Sequence, residues 1–144
     1  MSNQEQKDII LAGLAAAGGK SLTPVQIQKL FFIIDREISS YIGGPRFNFK
    51  PYDYGPFDRE VYDTLEVLAL EGSIEIDSSK RYSSYCLTAS GFLHGRHALE
   101  KFPLPIKKFI ADTTAWVLSL SFEELVASIY KKYPDMKENS IFRT

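Results

Sequence analysis

The stretch PYDYGPFDREVYDTLEVLALEGSIEI, residues 51–76, holds an aromatic turn, an amphipathic helix and the start of a strand in direct succession. Tyr52, Tyr54 and Phe57 crowd around Gly55-Pro56, between Pro51 and Asp58. Glycine supplies backbone freedom and proline removes it, so this turn is stiff as well as apolar. Asp58 is a good N-cap for a helix that runs to about Glu71. Val61, Leu65 and Leu68 lie on its core face with Tyr62 and Ala69 beside them, and Gly72 fits its C-terminal cap. A helix that exits into a strand is the order expected at the centre of a winged-helix domain.

On the N-terminal side, Ile9, Ile10, Leu14 and Ala17 recur at helical spacing and predict a first helix over 4–17, ended by Gly18-Gly19. Thr23-Pro24-Val25-Gln26 is a strong start for a second: Thr as N-cap, Pro at the first helical position, Gln three residues after the cap. Its stripe is Ile27, Leu30, Phe31, Ile34 and Ile38, it runs to about Tyr41, and Gly43-Gly44-Pro45 stops it. Residues 46–57 form the longest irregular stretch, in which Phe47 and Phe49 alternate with polar residues as a short extended piece.

On the C-terminal side, strands over 73–77 and 82–87 put Ile74 with Ile76, and Tyr85 with Leu87, on single faces. The polar tip Ser78-Ser79-Lys80-Arg81 joins them into a hairpin wing. Thr88 caps a fourth helix to about Lys101, which Pro103 and Pro105 break, and a fifth covers roughly 106–120. Ser121-Phe122-Glu123-Glu124 is a second capping box and opens a sixth helix that ends before Pro134. The tail 135–144 is polar apart from Ile141-Phe142. The expected fold is mainly α with a small β-hairpin: a winged helix-turn-helix-like core over about 4–88, a helical extension over 88–134 and the tail, in one domain of 144 residues.

Composition bounds the function. With 44% hydrophobic and 24% charged residues, a packed soluble core is available. Lys and Arg number 17 against 18 Asp and Glu, a net charge of −1, whereas a dedicated nucleic-acid binder usually has a basic excess. Cys86 is the only cysteine, so no intrachain disulfide forms, which fits a reducing compartment. Glu5 and Asp8 stand where a secretion signal carries positive charge, and the apolar run 9–17 is too short to span a bilayer. A cytoplasmic chain without a membrane segment is expected.

Charge also bears on whether the third helix reads DNA. A recognition helix presents basic or amide side chains to the groove. Residues 58–71 carry Asp58, Glu60, Asp63, Glu66 and Glu71 against Arg59 alone, five acids to one base, a local charge of −4. Such a face opposes the phosphate term that supplies most DNA affinity. The link between helices two and three is about 16 residues, where a helix-turn-helix has three or four. The remaining basic candidate is the wing tip, Lys80-Arg81 beside Tyr82 and Tyr85, which either contacts phosphate or is a solvated turn. Lys107-Lys108 and Lys131-Lys132 read as solvated helix faces.

Signals for chemistry are weak. His94 and His97 share a helix face, with Glu100 a turn on and Cys86 as a further donor, but two histidines fall short of the three or four ligands a zinc site wants. Cys86 reads as a small core residue without a base to activate it. Gly13, Gly18 and Gly19 form no phosphate cradle. Asp53 and Asp58 flank the aromatic turn as a carboxylate pair, but Asp58 is explained as a cap. No enzyme, metal or cofactor is expected. The aromatic turn has two readings that are compatible: a structural plug, with Tyr54 and Phe57 packed on the second helix, and a partner-binding surface with Tyr52 or Asp53 outward.

Gln26-Ile27-Gln28-Lys29-Leu30-Phe31-Phe32 resembles the KLQKLLYY-type helix of the Panacea (SocA-like antitoxin) proteins and the related YwgA-like proteins. Tyr54-Gly55-Pro56-Phe57, with the helix exit Leu70-Glu71-Gly72-Ser73-Ile74, resembles their YGP turn. Glu124-Leu125, Tyr130 and Tyr133-Pro134 look like the C-terminal helix of YwgA-like members. The resemblance spans about 23–76 and extends more weakly to 140. It implies a small bacterial or phage-type cytoplasmic protein without catalysis that binds a protein partner, as Panacea antitoxins bind a cognate toxin. The partner-binding candidates are then Tyr52, Tyr54, Gly55, Pro56, Phe57, Gln28 and Lys29. The alternative is a DNA-binding transcriptional regulator that uses the basic wing of Lys80 and Arg81 and dimerises through the helical extension.

Overall fold

Capping chemistry sets where the helices begin in the computed structural model, which describes residues 3–142. Helix α1 (Gln4–Ala16) opens on a capping box between Asn3 and Gln6, and α2 (Pro24–Ile38) on one between Thr23 and Gln26, with Pro24 in its first turn. After a short 3-10 turn, Ser39–Tyr41, the chain forms a hairpin of β1 (Lys50–Tyr52) and β2 (Gly55–Phe57). Helix α3 (Arg59–Leu70) starts at Asp58, whose Oδ1 accepts from the Glu60 amide at 2.9 Å. Strands β3 (Ile74–Asp77) and β4 (Ser84–Leu87) form a second antiparallel hairpin, registered Ile74 to Leu87 and Ile76 to Tyr85. Then come α4 (Ala89–Glu100), capped by Thr88, α5 (Leu104–Ser119) and α6 (Phe122–Lys132), capped by a box between Ser121 and Glu124. A 3-10 turn, Pro134–Lys137, precedes the tail.

The architecture is mainly helical, with two small antiparallel hairpins where the sequence predicts one. The additional hairpin lies inside the stretch expected to be irregular, and its strands fall at Lys50–Tyr52 and Gly55–Phe57 instead of around Phe47 and Phe49. Phe47 and Phe49 instead turn inward, where their rings meet edge-on at 5.9 Å and Phe49 meets Phe32 at 5.6 Å. The wing strand starts at Ser84, two residues later than expected, leaving Tyr82 exposed in the connection. Pro105 does not delay α5, because a proline in the first turn interrupts no intrahelical bond.

Helix α2 is the centre of the molecule. The expected stripe Ile27, Leu30, Phe31, Ile34 and Ile38 is buried, but so are Gln28, Lys29, Phe32, Ile33 and Asp35. The helix is enclosed because α1, α5, α6 and β2 all pack against it. Three polar side chains therefore lie inside, and each is used to hold backbone. Asp35 accepts from the amides of Arg46 at 2.6 Å and Phe47 at 3.3 Å, which fastens the loop that follows α2. Burial raises the Asp35 pKa despite those two bonds.

Close helix approach depends on missing side chains. A Cβ at Gly95 of α4 would lie 2.5 Å from the Leu11 carbonyl oxygen and 2.8 Å from the Ala15 Cβ of α1. A Cβ at Gly91 would collide with the carbonyl of Ser73. Leu22, between α1 and α2, exchanges two backbone hydrogen bonds of 2.9 Å with Tyr85, so the wing is tied to the first helix pair. One continuous apolar cluster runs from Ile9 of α1 through α2, α3 and α5 to Tyr133 and Met136.

Candidate partner-binding site

Backbone geometry shapes the aromatic turn first. In the β1–β2 register Pro51 faces Pro56 and Tyr52 faces Gly55, leaving Asp53 and Tyr54 at the tip. Gly55 has φ +101°, while no residue other than glycine has positive φ among those described. At such a φ glycine is favoured and a side chain would be strained. Space is short there as well: a Cβ on Gly55 would sit 3.3 Å from the ring of Tyr130 and 3.6 Å from Cε of Lys29.

Two residues of α2 hold the turn from below. The Gln28 side chain donates to the Asp58 carbonyl at 3.1 Å and accepts from the Asp58 amide at 2.9 Å. Lys29 donates from Nζ to the Pro56 carbonyl at 3.2 Å. Gln28 is 2% and Lys29 4% exposed, so both candidates stand beneath the turn, and Gly55 and Pro56 are buried within it. Asp58 completes the clamp, with Oδ2 accepting from the Asn48 amide at 2.7 Å. From the other side the tail straps the hairpin: the Ile141 amide donates to the Asp53 carbonyl at 2.9 Å and the Asn139 side chain to the Pro51 carbonyl at 3.1 Å. The Tyr130 hydroxyl donates to Ser140 Oγ at 2.6 Å and supports that strap.

The outer surface is aromatic. Tyr52 is 51% and Tyr54 41% exposed, with Asp53 exposed between them. The ring of Tyr54 meets Phe122 of α6 edge-on at 5.3 Å, and Phe122 is itself 39% exposed. Phe57 bridges Tyr52 at 5.2 Å and Tyr62 of α3 at 5.7 Å. Tyr62 reaches Pro24 with its hydroxyl, and burial pushes its pKa up to about 12. Two open grooves flank this surface. One, of about 300 Å³, runs between the hairpin, the start of α2 and Tyr62, and Lys29 contributes to its lining. The other, of about 400 Å³, lies between the start of α2, Tyr82 and α6. Pro24 and Val25 line both, so the two grooves meet at the first turn of α2.

The other candidate residues lie elsewhere. Lys80 and Arg81 are exposed in the wing connection. On α3, Asp63, Glu66 and Glu71 are exposed; Arg59 pairs with Asp63 at 3.9 Å and Lys7 with Glu71 at 2.7 Å. His94 and His97 are exposed on α4, beside a cleft that also includes Asp8 and Lys101. Among the described residues, no group of three or more His, Cys, Asp or Glu is placed to hold a metal ion. Cys86 is half-buried and free, and Glu75 faces it across the hairpin. Among the described residues no helix is long and apolar enough to cross a membrane. Phe122 and the strap are the parts of the site that sequence reasoning missed. The isolated apolar pair Ile141-Phe142 was their one visible signal, and Phe142 indeed stacks edge-on against Phe122 at 6.0 Å. No protein-family model and no curated protein matches this chain.

Proposed function

We propose that the chain is a non-catalytic protein-interaction module of the kind Panacea-type antitoxins represent, and that it binds a protein partner through the face formed by Tyr52, Tyr54, Phe57 and Phe122. The observation that carries this reading is the exposure of three rings beside the two grooves, Tyr52 and Tyr54 on a hairpin clamped from both sides and Phe122 on α6 next to it. Interface anchors are enriched in tyrosine and other aromatics, and a rigid presenting element lowers the ordering cost of binding. The run helix, Leu22 bridge, helix, then helix and hairpin supports a winged-helix-like core, into which the β1–β2 hairpin is inserted between α2 and α3. A cognate toxin is the partner class that the resemblance implies. The test is co-purification of the tagged chain from its native host, quantified against a Tyr52→Ala/Tyr54→Ala form that melts at the same temperature. A partner retained by the parent and lost by the variant supports the reading, and identical retention removes it.

The exposed Lys80 and Arg81 favour one second reading, a DNA-binding regulator that contacts phosphates through its wing. It predicts salt-sensitive retention on duplex DNA that disappears on Lys80→Glu with Arg81→Glu. The acidic outer face of α3 opposes it.

A further inference from the structure

The groove between the hairpin and α2 is bounded by Tyr52, Phe57 and Tyr62, and among the described residues Lys29 supplies its only cation. An ammonium offers three donors, and Lys29 spends one on the Pro56 carbonyl. Among the described residues no carboxylate oxygen lies within 4.0 Å of its Nζ. Buried charges are ordinarily paired, and the other two buried polar side chains of α2 are each matched to two backbone groups. Lys29 is thus an under-compensated cation in the wall of a groove that four aromatic rings help to line. Among the described residues the only other charged group that lines it is Asp53, at the hairpin tip.

We propose that this groove receives an acidic side chain of the protein partner, whose carboxylate pairs with the Lys29 ammonium while flanking apolar side chains rest on Tyr52, Phe57 and Tyr62. This rests on the protein-interaction reading and names the chemistry of its contact. The carboxylate satisfies the free donors of Lys29, and the aromatic walls exclude water from the pair, which strengthens it. Asp53 repels the incoming acid and so favours a ligand whose single carboxylate is carried between apolar neighbours over one with clustered charge. Burial already lowers the Lys29 pKa to about 8, as expected for a cation that lacks a counter-charge.

The probe is an N-acetylated, C-amidated pentapeptide with glutamate between two leucines and terminal phenylalanines, compared with its glutamine counterpart and with 3-phenylpropionate. The readout is the pH titration of the Lys29 ε-methylene resonance in the unmodified protein, so no variant needs to fold for the result to count. Preferential binding to the charged form by about tenfold moves the midpoint up by one pH unit. The glutamate peptide is expected to raise it by at least that much and the glutamine peptide to leave it in place. Asp53→Asn is expected to tighten the glutamate peptide several-fold. Equal binding of the two peptides with an unmoved Lys29 midpoint overturns the proposal. Binding of phenylpropionate as tight as that of the glutamate peptide overturns the choice of a protein segment in favour of a small carboxylic acid. Capture of a partner through Tyr52 and Tyr54 is read separately, so the interaction reading stands or falls without this result.

Discussion

Lys29 concentrates the physical tension of this fold in one side chain. The residue is 4% exposed, its ammonium has a carbonyl for its partner, and desolvation lowers its pKa from 10.5 to about 8. Between these two values the unfolded chain holds the proton and the folded chain does not, so stability from this group rises with pH across roughly 8 to 10.5. Below the folded value both states are protonated and the full cost of burying the charge is present, on the order of 3 kcal/mol. Urea unfolding of the parent and of Lys29→Met therefore diverges with pH. The parent gains up to about 3 kcal/mol on the variant between pH 7 and 10.5. A difference that stays flat over that range contradicts the burial of a charged Lys29.

Gln28 acts one residue away but at the scale of elements, because it joins α2 to the start of α3 through both backbone groups of Asp58. Gln28→Leu leaves that amide and carbonyl unpaired and is expected to cost about 2–3 kcal/mol in chemical denaturation, with faster hydrogen exchange at Asp58. A loss under about 0.5 kcal/mol contradicts the clamp. The α1–α4 contact makes a second prediction. Gly95→Leu has to displace the backbone of Leu11, so the variant is expected to lose its cooperative melt, whereas Arg96→Leu on the exposed side of the same helix melts as the parent does. Helix existence was legible because Thr23, Asp58, Thr88 and Ser121 announce their helices by local hydrogen bonds that depend only on neighbours in sequence. The β1–β2 hairpin was not legible: Pro51 and Pro56 weaken any strand pattern, and the pairing is held by Lys29, Gln28, Asn139 and Ile141, all remote in sequence. The burial of Lys29 was hidden for the same reason, since the apolar stripe of α2 leaves it on the face that only the tertiary structure covers.

At the scale of the whole molecule, the chain builds a rigid platform for one short aromatic hairpin. Helix α2 supports it, α6 supplies Phe122 to its edge, and the tail ties down the carbonyls of Pro51 and Asp53. The wing is tied to the same core through Leu22, and among the described residues its Lys80 and Arg81 make no salt bridge within 4.0 Å. The proposal that the hairpin and not the wing meets a protein partner is the central claim, and site-specific photo-crosslinking in the native host tests it most directly. A benzophenone amino acid is placed at Tyr54, at Lys80 and, as a surface comparison, at Leu70, which is 90% exposed. The account predicts a discrete protein adduct from position 54 and none from positions 70 or 80. Adducts, to protein or to DNA, that form from position 80 while position 54 stays silent contradict it.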